Sequence, residues 1–169
     1  MVNRKNLWNG ALLAGLVLAG VSIAYMFATQ YCKVGIVNFL LWIAKLAGCI
    51  ILFRFLMKKF LQIEAEASRP DLFAFGAVAA VASALLYAGC YFVNAVYIAP
   101  DLISEAMETA LEAYSSSMTS EVEELLEEMI PRLPMIGFWA NLLYCSVFGV
   151  VLSAIFSRSL VPSNPFKNE

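Results

Sequence analysis

A single lysine, Lys45, interrupts a long apolar stretch of the chain and is the residue whose type and position are most able to do chemistry. It lies 11 residues after Val34, where the stretch begins. At about 1.5 Å per helical residue that is a depth of about 16 Å, near the middle of a hydrocarbon core about 30 Å thick. A lysine at that depth raises the free energy of inserting the helix into a membrane by about 2.5–3.5 kcal/mol. The apolar stretches contain no Asp or Glu, so the chain supplies no carboxylate partner at that depth.

The helical face that carries Lys45 also carries Asn38, seven residues earlier, and Cys49, four residues later. We expect this face to point into protein. Three interpretations of Lys45 are open: it snorkels or hydrogen-bonds to neutral groups, it pairs with an acidic group of another protein or an anionic lipid headgroup, or it serves a proton relay or transport path. Relays usually include a carboxylate, which counts against the third. The neutral candidates on other helices are Asn94, Asn141, Ser83 and Tyr87.

Other residue types that do chemistry are missing or scattered. The chain has no histidine, which excludes histidine bases, triads and histidine metal sites. The four cysteines form no C-x-x-C pair, and three of them lie at membrane depth, where free cysteines behave as small hydrophobes. There is no phosphate loop, dinucleotide fingerprint or nucleophile elbow. We therefore predict no enzyme, no catalytic residue, no cofactor and no metal.

An acidic segment at 100–134 lies between the last two apolar stretches. From Asp101 to Ile130 it has nine acidic residues and no basic one, and its apolar residues recur with helical spacing. A serine run at 115–117 separates two amphipathic helices, and Ser120 with Glu123 forms a capping box for the second. We interpret the segment as a solvated cap, a partner-binding surface or a Ca²⁺ site, although the Ca²⁺ loop pattern is missing. The candidate outer interaction surface consists of Glu121, Glu124, Glu127 and Glu128.

The composition indicates which elements position these residues. Of 169 residues, 62% are hydrophobic and 14% charged, which excludes a disordered chain, a basic nucleic-acid-binding domain and an ordinary soluble enzyme. A membrane helix needs about 20 apolar residues, and four stretches qualify: 7–28, 34–55, 72–98 and 135–156. We predict an all-α polytopic membrane protein with a single membrane domain over 1–169. It consists of a four-helix transmembrane bundle and an amphipathic helical hairpin on the outer side.

Small residues four apart form a ridge on three of the four predicted helices, which favours close helix packing in lipid. One interpretation is packing within the bundle, and the other is a docking face for another subunit. The ridges are Ala11, Gly15 and Ala19; Gly76, Ala80, Ala84 and Ala88; and Asn141, Cys145, Gly149 and Ser153.

Lysines and arginines fix the expected orientation. With the N-terminus inside, eight of them lie on the cytoplasmic side and two outside, so we predict cytoplasmic N- and C-termini. Arg54, Lys58 and Lys59 can then rest on anionic headgroups. Together with Lys45 and Asn38 they are the candidate partner or lipid contacts. Tyr25 is assigned to the aromatic belt at the outer interface.

The order of these parts resembles the bacterial membrane family known as domain of unknown function 4199, found mainly in Bacteroidota. The resemblance lies in the glycine-rich stretch at 9–24, the basic loop leading into Phe73-Ala74-Phe75-Gly76, the segment Tyr97-Ile98-Ala99-Pro100-Asp101 and the final Ser157-Arg158. It implies a four-helix inner-membrane protein with no assigned activity and no catalytic residue. It also implies gene neighbourhoods that hold a polyprenyl-phosphate glycosyltransferase, and hence an accessory role beside such an enzyme.

From the residues and the resemblance together, we predict a non-catalytic accessory or scaffold subunit of a membrane complex in the bacterial inner membrane. The alternative is a small oligomeric transporter or lipid-binding membrane protein, with Lys45 and Asn38 lining its interior. The expected partners are membrane lipids and either a protein or a second copy of the chain, with no nucleic acid.

Overall fold

The computed structural model of the chain describes residues 4–31, 35–101, 105 and 128–161. All regular structure in these residues is helical, with no strand. The prediction of an all-α chain is therefore confirmed for the part described. Most of the predicted acidic hairpin, including Glu121, Glu124 and Glu127, lies outside the described residues.

Four long helices account for most of the fold. They are α1 (Arg4–Tyr31), α2 (Gly35–Ile63), α3 (Arg69–Val93) and α4 (Leu133–Leu160). A π-helical turn, Asn94–Ile98, extends α3, and a 3₁₀ turn, Ile130–Arg132, precedes α4. All four are long and apolar enough to cross a membrane, which confirms the four predicted apolar helices. They run past the predicted stretches because a helix continues into the headgroup region, where charged residues are tolerated.

The start of α3 is fixed by a capping box that the sequence analysis overlooked. Ser68 and Asp71 bond reciprocally: the Ser68 backbone N–H donates to Asp71 Oδ2 at 3.0 Å, and the Asp71 N–H donates to Ser68 Oγ at 3.4 Å. Pro70 falls in the first turn, where its missing N–H leaves no helical bond unmade. The pattern S-x-x-D was present in the sequence, with aspartate in place of the more familiar glutamate.

The chain divides into two compact units, the first comprising Met1–Tyr87 with Leu142–Glu169 and the second Ala88–Asn141. In the first unit, glycines let helices approach closely. A Cβ built on Gly15 would lie 2.7 Å from the backbone oxygen of Ala79, and one on Gly149 would lie 2.4 Å from Ala80 Cβ. Within this unit the small-residue ridges of α1 and α4 therefore pack against α3.

Aromatic rings fill the part of the first unit nearest the connection at 64–68, between α2 and α3. Phe60 and Phe75 stack with ring centroids 4.3 Å apart, and Phe53 lies 6.1 Å from Phe156. The Arg69 Nε–H donates to the backbone oxygen of Val161, which joins the start of α3 to the end of α4.

The second unit has its own packing. Tyr91 covers Gly137, where a Cβ would lie 2.4 Å from the ring, and Phe92 meets Phe138 edge-on at 6.2 Å. Asn94 is buried at the start of the π-helical turn, and its side-chain oxygen has no hydrogen-bond partner.

Candidate functional site

A cleft in the first unit is lined by residues from all four long helices. Its volume is about 120 Å³, and part of the cleft is open to the surroundings. This is smaller than the range of about 300–1,000 Å³ that is typical of small-molecule sites. Two of these helices, α3 and α4, are in close contact at the cleft wall, where Gly149 lies against Ala80.

Lys45 enters this cleft from α2 and is held between two tyrosine rings. Its Nζ lies 5.0 Å from the ring centroid of Tyr25 on α1 and 5.0 Å from that of Tyr87 on α3. Both distances are within the range of about 6 Å for cation–π attraction, in which the electron-rich ring face stabilises a cation. The ammonium group is therefore positioned by two neighbouring helices.

Aromatic rings surround the Lys45 ammonium group, but none of the described residues supplies an anionic partner for its charge. Among the described residues Lys45 forms no ion pair with a carboxylate, whereas Arg132 pairs with Glu128 at 3.7 Å on the surface. Ring faces attract a cation but carry no net negative charge. The cleft thus presents a net positive charge from within the membrane-spanning part of the chain.

The rest of the cleft is apolar and aromatic, with a few small polar groups. Leu18, Phe53, Phe148 and Leu152 supply apolar surface. Hydroxyl and thiol groups are interspersed, from Ser22, Ser83, Cys49 and Cys145. A lining of this type suits a flexible hydrocarbon chain, with Lys45 as its strongest polar contact.

The mouth of the cleft faces outward between α2 and α4. Trp42 on α2 and Tyr144 on α4 line the cleft and are nevertheless 45% and 62% exposed. In a membrane, the surface around these two side chains is covered by lipid tails. A molecule dissolved in the bilayer could therefore reach Lys45 by lateral diffusion.

The other predicted site residues lie apart from the cleft lining. Asn38 is half-buried on α2, and Lys58 and Lys59 are exposed near the end of that helix. The Arg54 guanidinium lies 6.0 Å from the Phe156 ring. Glu128, the one member of the predicted acidic surface within the described residues, pairs with Arg132.

Of the neutral partners expected for Lys45, Tyr87 contacts it and Ser83 lines the same cleft. Asn141 instead donates its side-chain amide to the backbone oxygen of Gly137 at 2.8 Å, within its own helix.

Tyr25 is a contact of Lys45 that was not predicted from the sequence, because its aromatic ring was assigned to the membrane interface. Residues 32–34 join α1 to α2, and so short a connection makes the two helices antiparallel neighbours. Helical side chains lean toward the N-terminal end of their helix, so Lys45 reaches back toward Gly35. That is the end of α2 at which Tyr25, near the end of α1, lies. Connection length and side-chain direction together were the available signal.

Among the residues that the structure describes, no group of three or more Asp, Glu, Cys or His side chains is arranged to hold a metal ion. What the arrangement can do is bind an amphiphile by its chain and its headgroup.

Four apolar helices of membrane-spanning length, joined by short connections on either side of α2, define a multi-pass membrane protein. The chain belongs to the family described as Protein of unknown function (DUF4199), whose model matches residues 9–158. The resemblance noted from the sequence is thereby confirmed. No curated protein and no solved structure matches the chain.

Proposed function

We propose that this protein is a non-catalytic membrane protein that binds a lipid in the cleft between its four helices. The observation that carries the proposal is the cleft itself, which is apolar, laterally open and furnished with one positioned cation. Proteins rarely keep a charge at membrane depth without a use for it, because its insertion is costly. A lipid ligand gives both the charge and the apolar lining a function.

The proposal predicts that the protein carries a lipid through purification in mild detergent. Native mass spectrometry should show the chain with bound lipid. Cys145→Phe, which fills the cleft from α4, should reduce the bound fraction at least about tenfold, since each 1.4 kcal/mol of lost affinity is a factor of ten. Leu143→Phe is the matched control, because Leu143 lies on the same helix but outside the cleft and is 62% exposed.

Equal lipid retention by Cys145→Phe and the wild-type chain would contradict binding in this cleft. Both variants should first be shown to keep wild-type helical content by circular dichroism, so that a loss of lipid reports on the cleft and not on the fold.

A second candidate function is an accessory or scaffold subunit of a membrane complex, including one for lipid-linked sugar transfer. It is favoured by an uncovered small-residue notch on α2, formed by Ala44, Ala47 and Gly48, all of which are exposed. A Cβ on Gly48 would meet nothing within 4 Å, so another helix could approach closely there. The same native mass spectra separate the candidates, because a subunit would carry a stoichiometric foreign protein.

We also propose the orientation and location expected from charge: the bacterial inner membrane, with both termini cytoplasmic and the acidic 100–134 segment outside. The test uses a chain whose own cysteines are replaced by alanine. Glu128→Cys should react with a membrane-impermeant maleimide in intact spheroplasts, whereas Ser159→Cys should react only after permeabilisation. Both positions are exposed, so accessibility to the reagent reports on the side of the membrane. The opposite labelling pattern would invert the proposed topology.

A further inference from the structure

We infer that the ligand of the cleft is a single-chain amphiphile with a carboxylate headgroup, bound with the carboxylate against the Lys45 ammonium and the chain along the apolar lining. This inference rests on the proposed function and names the chemistry that the same site recognises. Three features of the cleft support it: the charge of Lys45, the geometry around that charge and the apolar character of the remaining lining.

The ammonium group of Lys45 is directed but not neutralised. Tyr25 and Tyr87 hold Nζ at 5.0 Å from each ring centroid, so its position is set before a ligand arrives. An ammonium has three donors, and ring faces do not replace an acceptor oxygen for all of them. A ligand that brings an anionic oxygen supplies both the charge and the acceptor.

The charge balance favours a carboxylate over a phosphate. Lys45 is the one cationic side chain among the residues that line the cleft. A phosphomonoester carries about −1.5 to −2 charges at neutral pH and would leave negative charge uncompensated in a medium of low dielectric constant. A carboxylate forms a neutral pair with one ammonium and is the smallest anionic headgroup that an amphiphile can carry.

The remaining lining offers apolar contact to part of a hydrocarbon chain. Phe53 lies on the cleft wall about two helical turns beyond Lys45 on α2, and Leu152 lies about one turn beyond Gly149 on α4. Both side chains offer apolar contact. Trp42 and Tyr144 flank the open side, where the chain would enter from the bilayer.

The test measures binding of palmitate to the full-length protein after removal of endogenous lipid, with hexadecanol and hexadecyl phosphate as competitors of equal chain length. Hexadecanol should compete at least about tenfold more weakly than palmitate, because a charge-assisted hydrogen bond to Lys45 is lost. Lys45→Met should weaken palmitate binding by at least about tenfold while leaving hexadecanol binding unchanged. Lys45→Arg should retain the preference for palmitate, and Arg158→Met, which removes an exposed positive charge outside the cleft lining, should bind as the wild type does.

The outcomes separate this inference from the proposed function. Equal binding of palmitate and hexadecanol by the wild-type chain would overturn headgroup recognition but leave a lipid-binding cleft. Tighter binding of hexadecyl phosphate than of palmitate would overturn the carboxylate. Failure of all three amphiphiles to bind would overturn the lipid-binding function as well. The competitor series uses the wild-type chain alone, so it decides the matter even if Lys45→Met does not fold.

Discussion

Replacement of Gly76 by valine is expected to lower the free energy of unfolding by about 2 kcal/mol or more, because α3 and α4 have no room for a side chain between them. A Cβ at Gly76 would lie 2.2 Å from Ser153 Oγ, 2.9 Å from Ser153 Cβ and 3.2 Å from Met57 Cε. Ser153 and Met57 are themselves fully buried. Ser153 cannot simply turn away, because its hydroxyl donates to the backbone oxygen of Phe73 at 2.9 Å.

Gly89→Val is the matched control for this substitution. Gly89 lies on the same helix, and a Cβ there would meet nothing within 4 Å. The control should leave stability near that of the wild type, since valine and glycine differ by less than about 1 kcal/mol in helix propensity. Equilibrium unfolding in mixed detergent micelles, followed by tryptophan fluorescence, measures both. Equal destabilisation by the two variants would mean that the α3–α4 contact at Gly76 is not as close as described.

Gly149→Ala is expected to be destabilising on its own and to be rescued by Ala80→Gly in the same chain. The new Cβ would lie 2.4 Å from Ala80 Cβ but 3.5 Å from Ala80 Cα. Overpacking of this kind costs about 1–3 kcal/mol, which exceeds the gain of about 1 kcal/mol that alanine has over glycine in a helix. Removing the Ala80 methyl group leaves an ordinary van der Waals contact in its place.

The wild type, the two single variants and the double variant form a double-mutant cycle. We expect a favourable coupling free energy of about 1 kcal/mol or more between positions 80 and 149, because the two residues are in direct contact. Each unfolding free energy is measured under the same micelle conditions. If the double variant instead loses unfolding free energy equal to the sum of the losses in the two single variants, the two methyl groups do not compete for one space. Lipid retention by the double variant should match the wild type, since the methyl group moves from α3 to α4 without changing the filled volume of the cleft.

The architecture was predictable from the sequence to the extent that it depends on hydropathy. Four apolar stretches, one of them interrupted only by Lys45, form four helices, because backbone groups in lipid must be bonded within the segment. The helix ends were not predictable from hydropathy, since they depend on local bonds such as that between Ser68 and Asp71. The small-residue spacing predicted close packing but not which ridges meet, because that depends on helix rotation and tilt, as at Gly15 against Ala79 and Gly149 against Ala80.

The candidate site was predictable only through its charge. Lys45 was conspicuous as a lysine in an apolar stretch, whereas Tyr25 was one tyrosine among several near a helix end. The cleft itself comes from four helices that are distant in the sequence, so no local pattern encodes it. Cys145 and Phe148 join the lining by the rotation of α4, which hydropathy does not determine because α4 is apolar on every side.

Because all four long helices line the cleft, the cleft forms in a fixed order as the chain is synthesised. The chain is inserted from the N-terminus, so α1, α2 and α3 leave the ribosome before α4 does. Until then the cleft lacks one wall, and Gly76 and Ala80 of α3 lack the residues that cover them. The binding site is therefore complete only when the last helix arrives. A chain that stalls or is cut short before α4 leaves Lys45 without that wall of the cleft.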